Sequence, residues 1–112
     1  MGVLDLFRRS RSIDVAEAAR MLAAGEIVLV DVREAAEWKA GRARGAKHAP
    51  LSGLGRRLDA LTAPGKPVAF MCRSGHRSAL ACRTARRHGI DAINVRGGLA
   101  AWQQAGLPVT RR

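Results

Sequence analysis

Ile27-Val28-Leu29-Val30-Asp31-Val32 is a continuous run, rich in β-branched residues and interrupted only by one aspartate. A run of this length without alternation suits a strand buried on both faces, as in a parallel sheet covered by helices. A second, Val68-Ala69-Phe70-Met71, follows the turn-forming Pro64-Gly65-Lys66-Pro67, and a third is Ala92-Ile93-Asn94-Val95. Helical patterns separate them: Glu34 to Ala40, Leu51 to Leu61 and Arg77 to His88, with Leu99 to Ala105 after the last strand. Ahead of the first run, Asp14 reads as an N-cap with Glu17 completing a capping box. Val15, Ala18, Ala19 and Leu22 then form one apolar face that ends at Gly25. Ala46 to Pro50 fits a short edge strand. Strand and helix alternating throughout predict an α/β domain with a mainly parallel sheet. In such sheets, sites lie beyond the carboxyl ends of the strands. That rule directs attention to Asp31-Val32-Arg33 and to Cys72.

The chain has 112 residues, the size of one compact domain. Residues 1–11 read as a flexible basic arm, carrying Arg8-Arg9-Ser10-Arg11, and residues 12–112 as the domain. At 47% hydrophobic the domain can build a core, and with only Phe7, Trp38, Phe70 and Trp102 as aromatics that core is mainly aliphatic. The net charge of +11 favours anionic partners. The arginines are scattered, however, without the interleaved aromatics of a single-strand groove, so nucleic-acid binding is disfavoured. No stretch reaches the roughly 20 apolar residues of a membrane span, and no signal peptide is evident. Cys72 and Cys82, ten residues apart with a predicted helix between them, are poorly placed for a disulfide. Free thiols in a reducing compartment are expected, and with them a cytoplasmic location.

A lone cysteine at a strand end is ordinarily a small buried hydrophobe. Cys72 is followed instead by Arg73, Ser74, Gly75, His76, Arg77 and Ser78, and then by the helix-forming Ala79-Leu80-Ala81. A reactive thiol has use for such neighbours, because its pKa falls beside cations and at a helix N-terminus. A loop entering a helix turns successive N–H groups inward as an anion cradle. Gly75 permits the backbone conformation, Arg73 and Arg77 supply permanent charge for an anionic group, and Ser74 and Ser78 supply hydroxyl donors. His76 either tunes the thiolate or faces solvent. Cys82, on an Ala-rich helical stretch, reads as core.

With these residues in place the chain resembles a single-domain rhodanese over about residues 12 to 109. Four separated features carry the resemblance. They are Val28-Leu29-Val30-Asp31-Val32-Arg33-Glu34 with Glu37-Trp38; Gly45-Ala46 through Pro50-Leu51; the cysteine loop; and Val95-Arg96-Gly97-Gly98 with Trp102, Gly106 and Pro108. The resemblance implies a three-layer domain, with a mostly parallel central sheet of about five strands and helices on both faces. It also implies a persulfide mechanism, in which Cys72 takes sulfane sulfur from thiosulfate or a similar donor and passes it to cyanide, a thiol or a protein cysteine. Arg73, Ser74, Gly75, His76, Arg77 and Ser78 would bind the substrate, while Asp31 and Arg33 would support the floor of the site. Neither a metal nor an organic cofactor is implied, and Cys72, Cys82, His48, His76 and His88 lack metal-site spacing. The expected partners are a small anionic sulfur donor and a protein thiol acceptor. A monomer, or at most a weak dimer, is adequate for the chemistry.

Two alternatives stay open at this point: a binding or regulatory module without turnover, and a relative of phosphatases or arsenate reductases. Four residues separate Cys72 from Arg77, one fewer than in the Cys-x5-Arg loop of those enzymes. A tighter ring suits a single sulfur atom better than a tetrahedral phosphate. The chain also departs from the common rhodanese pattern at Gly41-Arg42-Ala43-Arg44-Gly45 and at His48-Ala49, where Arg42, Arg44 and Lys47 make one edge unusually basic.

Overall fold

A computed structural model describes residues 11–62 and 64–112. The three apolar runs form β2 (Val28–Asp31), β5 (Val68–Met71) and β6 (Ala92–Val95), and β1 (Ser12–Ile13) and β4 (Lys47–His48) complete a five-stranded sheet. Its order is β1-β6-β5-β2-β4 and every pairing is parallel. The helices are α1 (Val15–Ala23), α2 (Ala35–Ala40), α3 (Leu58–Thr62), α4 (His76–Arg87) and α5 (Gly98–Gln104). A small antiparallel pair, β3 (Arg42–Ala43) with β7 (Val109–Thr110), ties the C-terminal segment to the domain.

Strand alternation divides the core into two halves. Val28, Val30, Val68, Phe70 and Ala92 face α3 and α4, packing on Leu54, Leu58, Leu61, Ala81, Cys82 and Ala85. Leu29, Ala69, Met71, Ile93 and Val95 face the other way, onto Val15, Ala18 and Met21 of α1 and Leu99 and Trp102 of α5. The result is the three-layer α/β arrangement with helices on both sheet faces. Each large aliphatic or aromatic side chain fully buried in this way contributes about 1.5–3 kcal/mol.

The helix expected over Leu51 to Leu61 is broken. A 3-10 segment (Leu51–Arg56), itself kinked at Gly53 (φ −119°, ψ 15°), precedes α3, with Arg57 at the junction. The capping box at α1 is half formed. Asp14 accepts from the Glu17 N–H at 2.8 Å, whereas the Glu17 side chain turns to Arg20. Three two-residue strands, β1, β3 and β7, carry too little pattern to be read from sequence, and the sheet partner alone makes them strands. The arm expected over residues 1–11 lies outside the described residues except for Arg11, whose carbonyl accepts from the Asn94 N–H at 3.2 Å.

Candidate active site

Cys72 follows the last residue of β5, a central strand, with β6 on one side and β2 on the other. The alternation of the strand sends its side chain toward α4, into the same half of the core as Phe70 and Cys82. The chain then turns through Arg73 and Ser74 to Gly75, the N-cap of α4. Gly75 stands at φ +113°, a conformation that residues with side chains rarely adopt. This turn brings the Gly75 N–H to 3.0 Å from Cys72 Sγ, with Ser78 Oγ at 3.5 Å on the first turn of the helix. Burial pushes the thiol up. Hydrogen bonds open to the sulfur anion from the Ser78 hydroxyl and from the backbone N–H groups of Ser78, Gly75 and Ser74 outweigh it and hold Cys72 below the ordinary cysteine value.

The loop is held from behind by the start of α5. The Leu99 N–H donates to the Cys72 carbonyl at 2.8 Å and the Ala100 N–H to the Arg73 carbonyl at 3.0 Å. In a planar trans peptide the N–H points opposite to the C=O. Drawing these two carbonyls toward α5 therefore turns the Arg73 and Ser74 N–H groups the other way, toward the mouth of the loop. The approach is close enough to require glycine at 98, where a Cβ would stand 2.2 Å from the Cys72 carbonyl oxygen and 2.7 Å from the Arg73 carbonyl. Gly98 also has φ +54°.

The two arginines of the loop have different surroundings. Arg77 donates through Nη1 to Glu37 Oε1 at 2.6 Å and through Nη2 to Oε2 at 2.9 Å, joining α4 to α2. Arg73 is exposed and has no ion-pair partner among the described residues. His76 is exposed as well, its Nδ1 3.3 Å from Ser74 Oγ, so its ring meets the loop rim and not the sulfur. Ser78 is fully buried.

Asp31 and Arg33 form a buried pair beside the loop, level with Met71 in the sheet register. Arg33 Nη2 lies 2.7 Å from Asp31 Oδ2, Arg33 Nε donates to both carboxylate oxygens, and the Arg33 N–H donates to Oδ1. Arg33 Nη2 also donates to the Gly41 carbonyl at 2.7 Å. Around this pair Trp38 and His48 stack at 4.6 Å, Arg42 lies over the Trp38 ring, and His48 Nε2 meets the Arg33 carbonyl at 2.8 Å. Cys82 is a buried free thiol in the core whose pKa burial pushes up to about 11.

Sequence reasoning missed Asn94 and the part played by Gly98. Asn94 accepts from Ser78 Oγ at 2.6 Å and donates from Nδ2 to the Gly75 carbonyl at 3.3 Å. Its signal was a single amide in an otherwise apolar strand. Gly98 was visible as half of a glycine pair, but nothing local shows which backbone it lets through. Among the described residues no three His, Cys, Asp or Glu side chains gather as a metal site, and no helix is long and apolar enough to cross a membrane.

This fold and this loop define a class: a small parallel α/β domain presenting a cysteine in a ring of N–H groups at the end of a central strand. The family model for the rhodanese-like domain matches residues 14–105, and the chain belongs to that family. A rhodanese-related protein from Thermoplasma volcanium superposes with a TM-score of 0.82 at 29% identity, over 91% of this chain and 99% of that one. A sulfurtransferase of Allochromatium vinosum is 34% identical over 75% of this chain and 78% of its own. An HTH-type transcriptional regulator of Mycobacterium tuberculosis is 39% identical over 88% of this chain, which spans only 44% of the regulator's length. Similarity to sulfurtransferases supports sulfur transfer as the general activity at the level of the family.

Proposed function

We propose that this protein is a thiosulfate-type sulfurtransferase working through a persulfide on Cys72. The Cys72 thiolate attacks the outer sulfur of thiosulfate or a comparable sulfane donor. The donor's S–S bond breaks, its electron pair leaves with sulfite, and the new S–S bond makes Cys72 a persulfide. A thiophilic acceptor (cyanide, a small thiol or a protein cysteine) then attacks that outer sulfur, and Cys72 departs as a thiolate. No oxidant is consumed in the cycle. The single observation that carries this reading is the Gly75 N–H aimed at Sγ at 3.0 Å within a loop whose Cys72 and Arg73 carbonyls are drawn away toward α5.

The loop residues divide the work. The N–H groups of Arg73 to Ser78 stabilise the terminal sulfur anion, as preorganised donors do for developing charge. Arg73, exposed at the rim, attracts and orients the anionic donor and the departing sulfite. Arg77, charge-paired with Glu37, acts mainly by fixing α4 and lending its positive field to the sulfur. Ser74 and His76 form the rim over which donor and acceptor arrive. Asp31 and Arg33 hold the floor. The chemistry needs neither metal nor cofactor, and a cytoplasmic monomer with a small anionic donor and a protein thiol acceptor fits it.

Incubation with thiosulfate followed by intact-mass measurement without reductant tests the proposal. The expected result is a gain of one sulfur atom, absent in Cys72→Ser and discharged by cyanide with release of thiocyanate. Failure to load from thiosulfate and from polysulfide alike overturns it.

A further inference from the structure

Ser78 has one hydroxyl proton and two claimants for it. Its Oγ lies 2.6 Å from Asn94 Oδ1 and 3.5 Å from Cys72 Sγ. The Asn94 amide has only one satisfactory orientation. Its Nδ2 donates to the Gly75 carbonyl, and an oxygen in that place would face a group that can only accept. The atom beside Ser78 is therefore Oδ1, itself an acceptor, and the Ser78 proton points at Asn94. What Ser78 presents to the sulfur is a lone pair. That arrangement suits a thiol, whose S–H can donate to Oγ. It is wrong for a thiolate or a persulfide anion, each of which needs a donor there.

We propose that Asn94 is a positioning residue that competes with Cys72 for the Ser78 hydroxyl proton, holding the resting sulfur as a thiol and releasing the hydroxyl when the sulfur becomes anionic. The step is a rotation about the Ser78 Cβ–Oγ bond. Ser78 keeps its proton throughout, and the thiol proton leaves to a solvent base. The donation from Ser78 that helps to stabilise the thiolate is thus available only in the turned state. In that state Asn94 Oδ1 has lost its donor, and the two arrangements oppose each other.

Other charges also face this cluster. Arg77 of α4 is paired with Glu37 of α2, Asp31 of β2 with Arg33, and Arg73 and His76 lie on the exposed rim. Arg11, Arg83, Arg86 and Arg96 share a cleft with Asn94. Among the described residues none of these side chains hydrogen-bonds Ser78 or Asn94, and all are present equally in the variants compared below.

The test is the pH dependence of iodoacetamide alkylation at Cys72, followed by peptide mass spectrometry on the full chain. Asn94→Ala and Asn94→Val free the hydroxyl and should each lower the midpoint by about one pH unit, a roughly tenfold rise in thiolate below it. Ser78→Ala should raise the midpoint, and Asn94→Ala should then add no further shift. Melting curves identify any variant that fails to fold, and the strand-compatible valine serves if the alanine variant does. An unchanged or raised midpoint in the folded Asn94 variants overturns the proposal. So does a downward shift that persists in the Ser78→Ala background, because it would then act through the Gly75 carbonyl. Only the relevance to a persulfide anion rests on the sulfurtransferase reading. The midpoint is measured without any sulfur donor, so its failure is distinct from a failure to load sulfur.

Discussion

Glu37 and Arg77, forty residues apart in sequence, meet in a two-point ion pair of 2.6 and 2.9 Å that fastens the helix after the cysteine loop to the helix after β2. Arg77 holds the Glu37 carboxyl down to about 2, and Glu37 raises Arg77 in turn. A carboxylate with a lowered folded pKa stabilises the fold fully above its ordinary value near 4.5, and that stabilisation disappears as the pH falls toward 2. Both side chains are about one-third exposed, so solvent screens the pair. Glu37→Gln should cost about 1 kcal/mol at neutral pH. Urea melts at pH 7 and pH 3 check this, with the gap between wild type and variant narrowing at the lower pH.

Gly98→Ala should disable the loop. The added methyl would stand 2.2 Å from the Cys72 carbonyl oxygen, on backbone that cannot rotate aside as a side chain could, and at a positive φ. Forced overpacking of this kind costs about 1–3 kcal/mol. The larger effect should fall on the site, because relief of the clash breaks the Leu99 and Ala100 bonds that orient the loop. Alkylation of Cys72 at fixed pH and sulfur loading should both change far more than the melting temperature. Gly106→Ala provides a comparison, since a Cβ there has nothing within 4 Å.

Removing one member of the Asp31–Arg33 pair should be among the most damaging single changes. Asp31 is 0% and Arg33 3% exposed, and Asp31→Leu leaves the guanidinium buried without its anion. Such a loss costs roughly 3–5 kcal/mol. Chemical denaturation measures it. A double Asp31→Leu, Arg33→Met variant should recover much of the loss, because no uncompensated charge then remains inside.

Cys72 and Cys82 should separate cleanly by reactivity. Cys82 lies in the core with its thiol pushed up to about 11, while Cys72 is held below the ordinary value. At pH 7.5 to 8, roughly a unit below an unperturbed thiol, limited alkylation should label Cys72 and spare Cys82. Cys82→Ala should leave sulfur loading intact and lower stability modestly, as the loss of a small buried side chain does.

Much of this was legible in the linear chain. The Ile27–Val32 run and its two companions reported strands buried on both faces, because hydrophobic patterning acts over a few residues and is written locally. Cys72, Gly75 and the start of α4 were legible for the same reason: a turn into a helix has local chemistry. Two-residue strands such as β1 were not, since their only cause is a partner strand far along the chain. The apolar spacing over Leu51–Leu61 matches a helix, yet Gly53 takes non-helical angles and the chain forms a 3-10 segment before α3, because the backbone freedom of glycine is not expressed in apolar spacing.

Asp31 and Arg33 show where the boundary falls. Their residue types and position at a strand end are properties of the sequence, and so is the thiol-bearing loop that follows β5. Which groups meet was decided only by the fold. Arg77 turned to Glu37 while Arg73 kept to the rim, Gly98 admitted the Cys72 carbonyl, and Asn94 came within reach of the Ser78 proton. Hydrogen bonds and ion pairs act over about 3 Å, and their partners here are brought together across 16 to 40 residues of chain. Local sequence determines which groups a segment carries, and the packing of the sheet between its helices determines which of them touch.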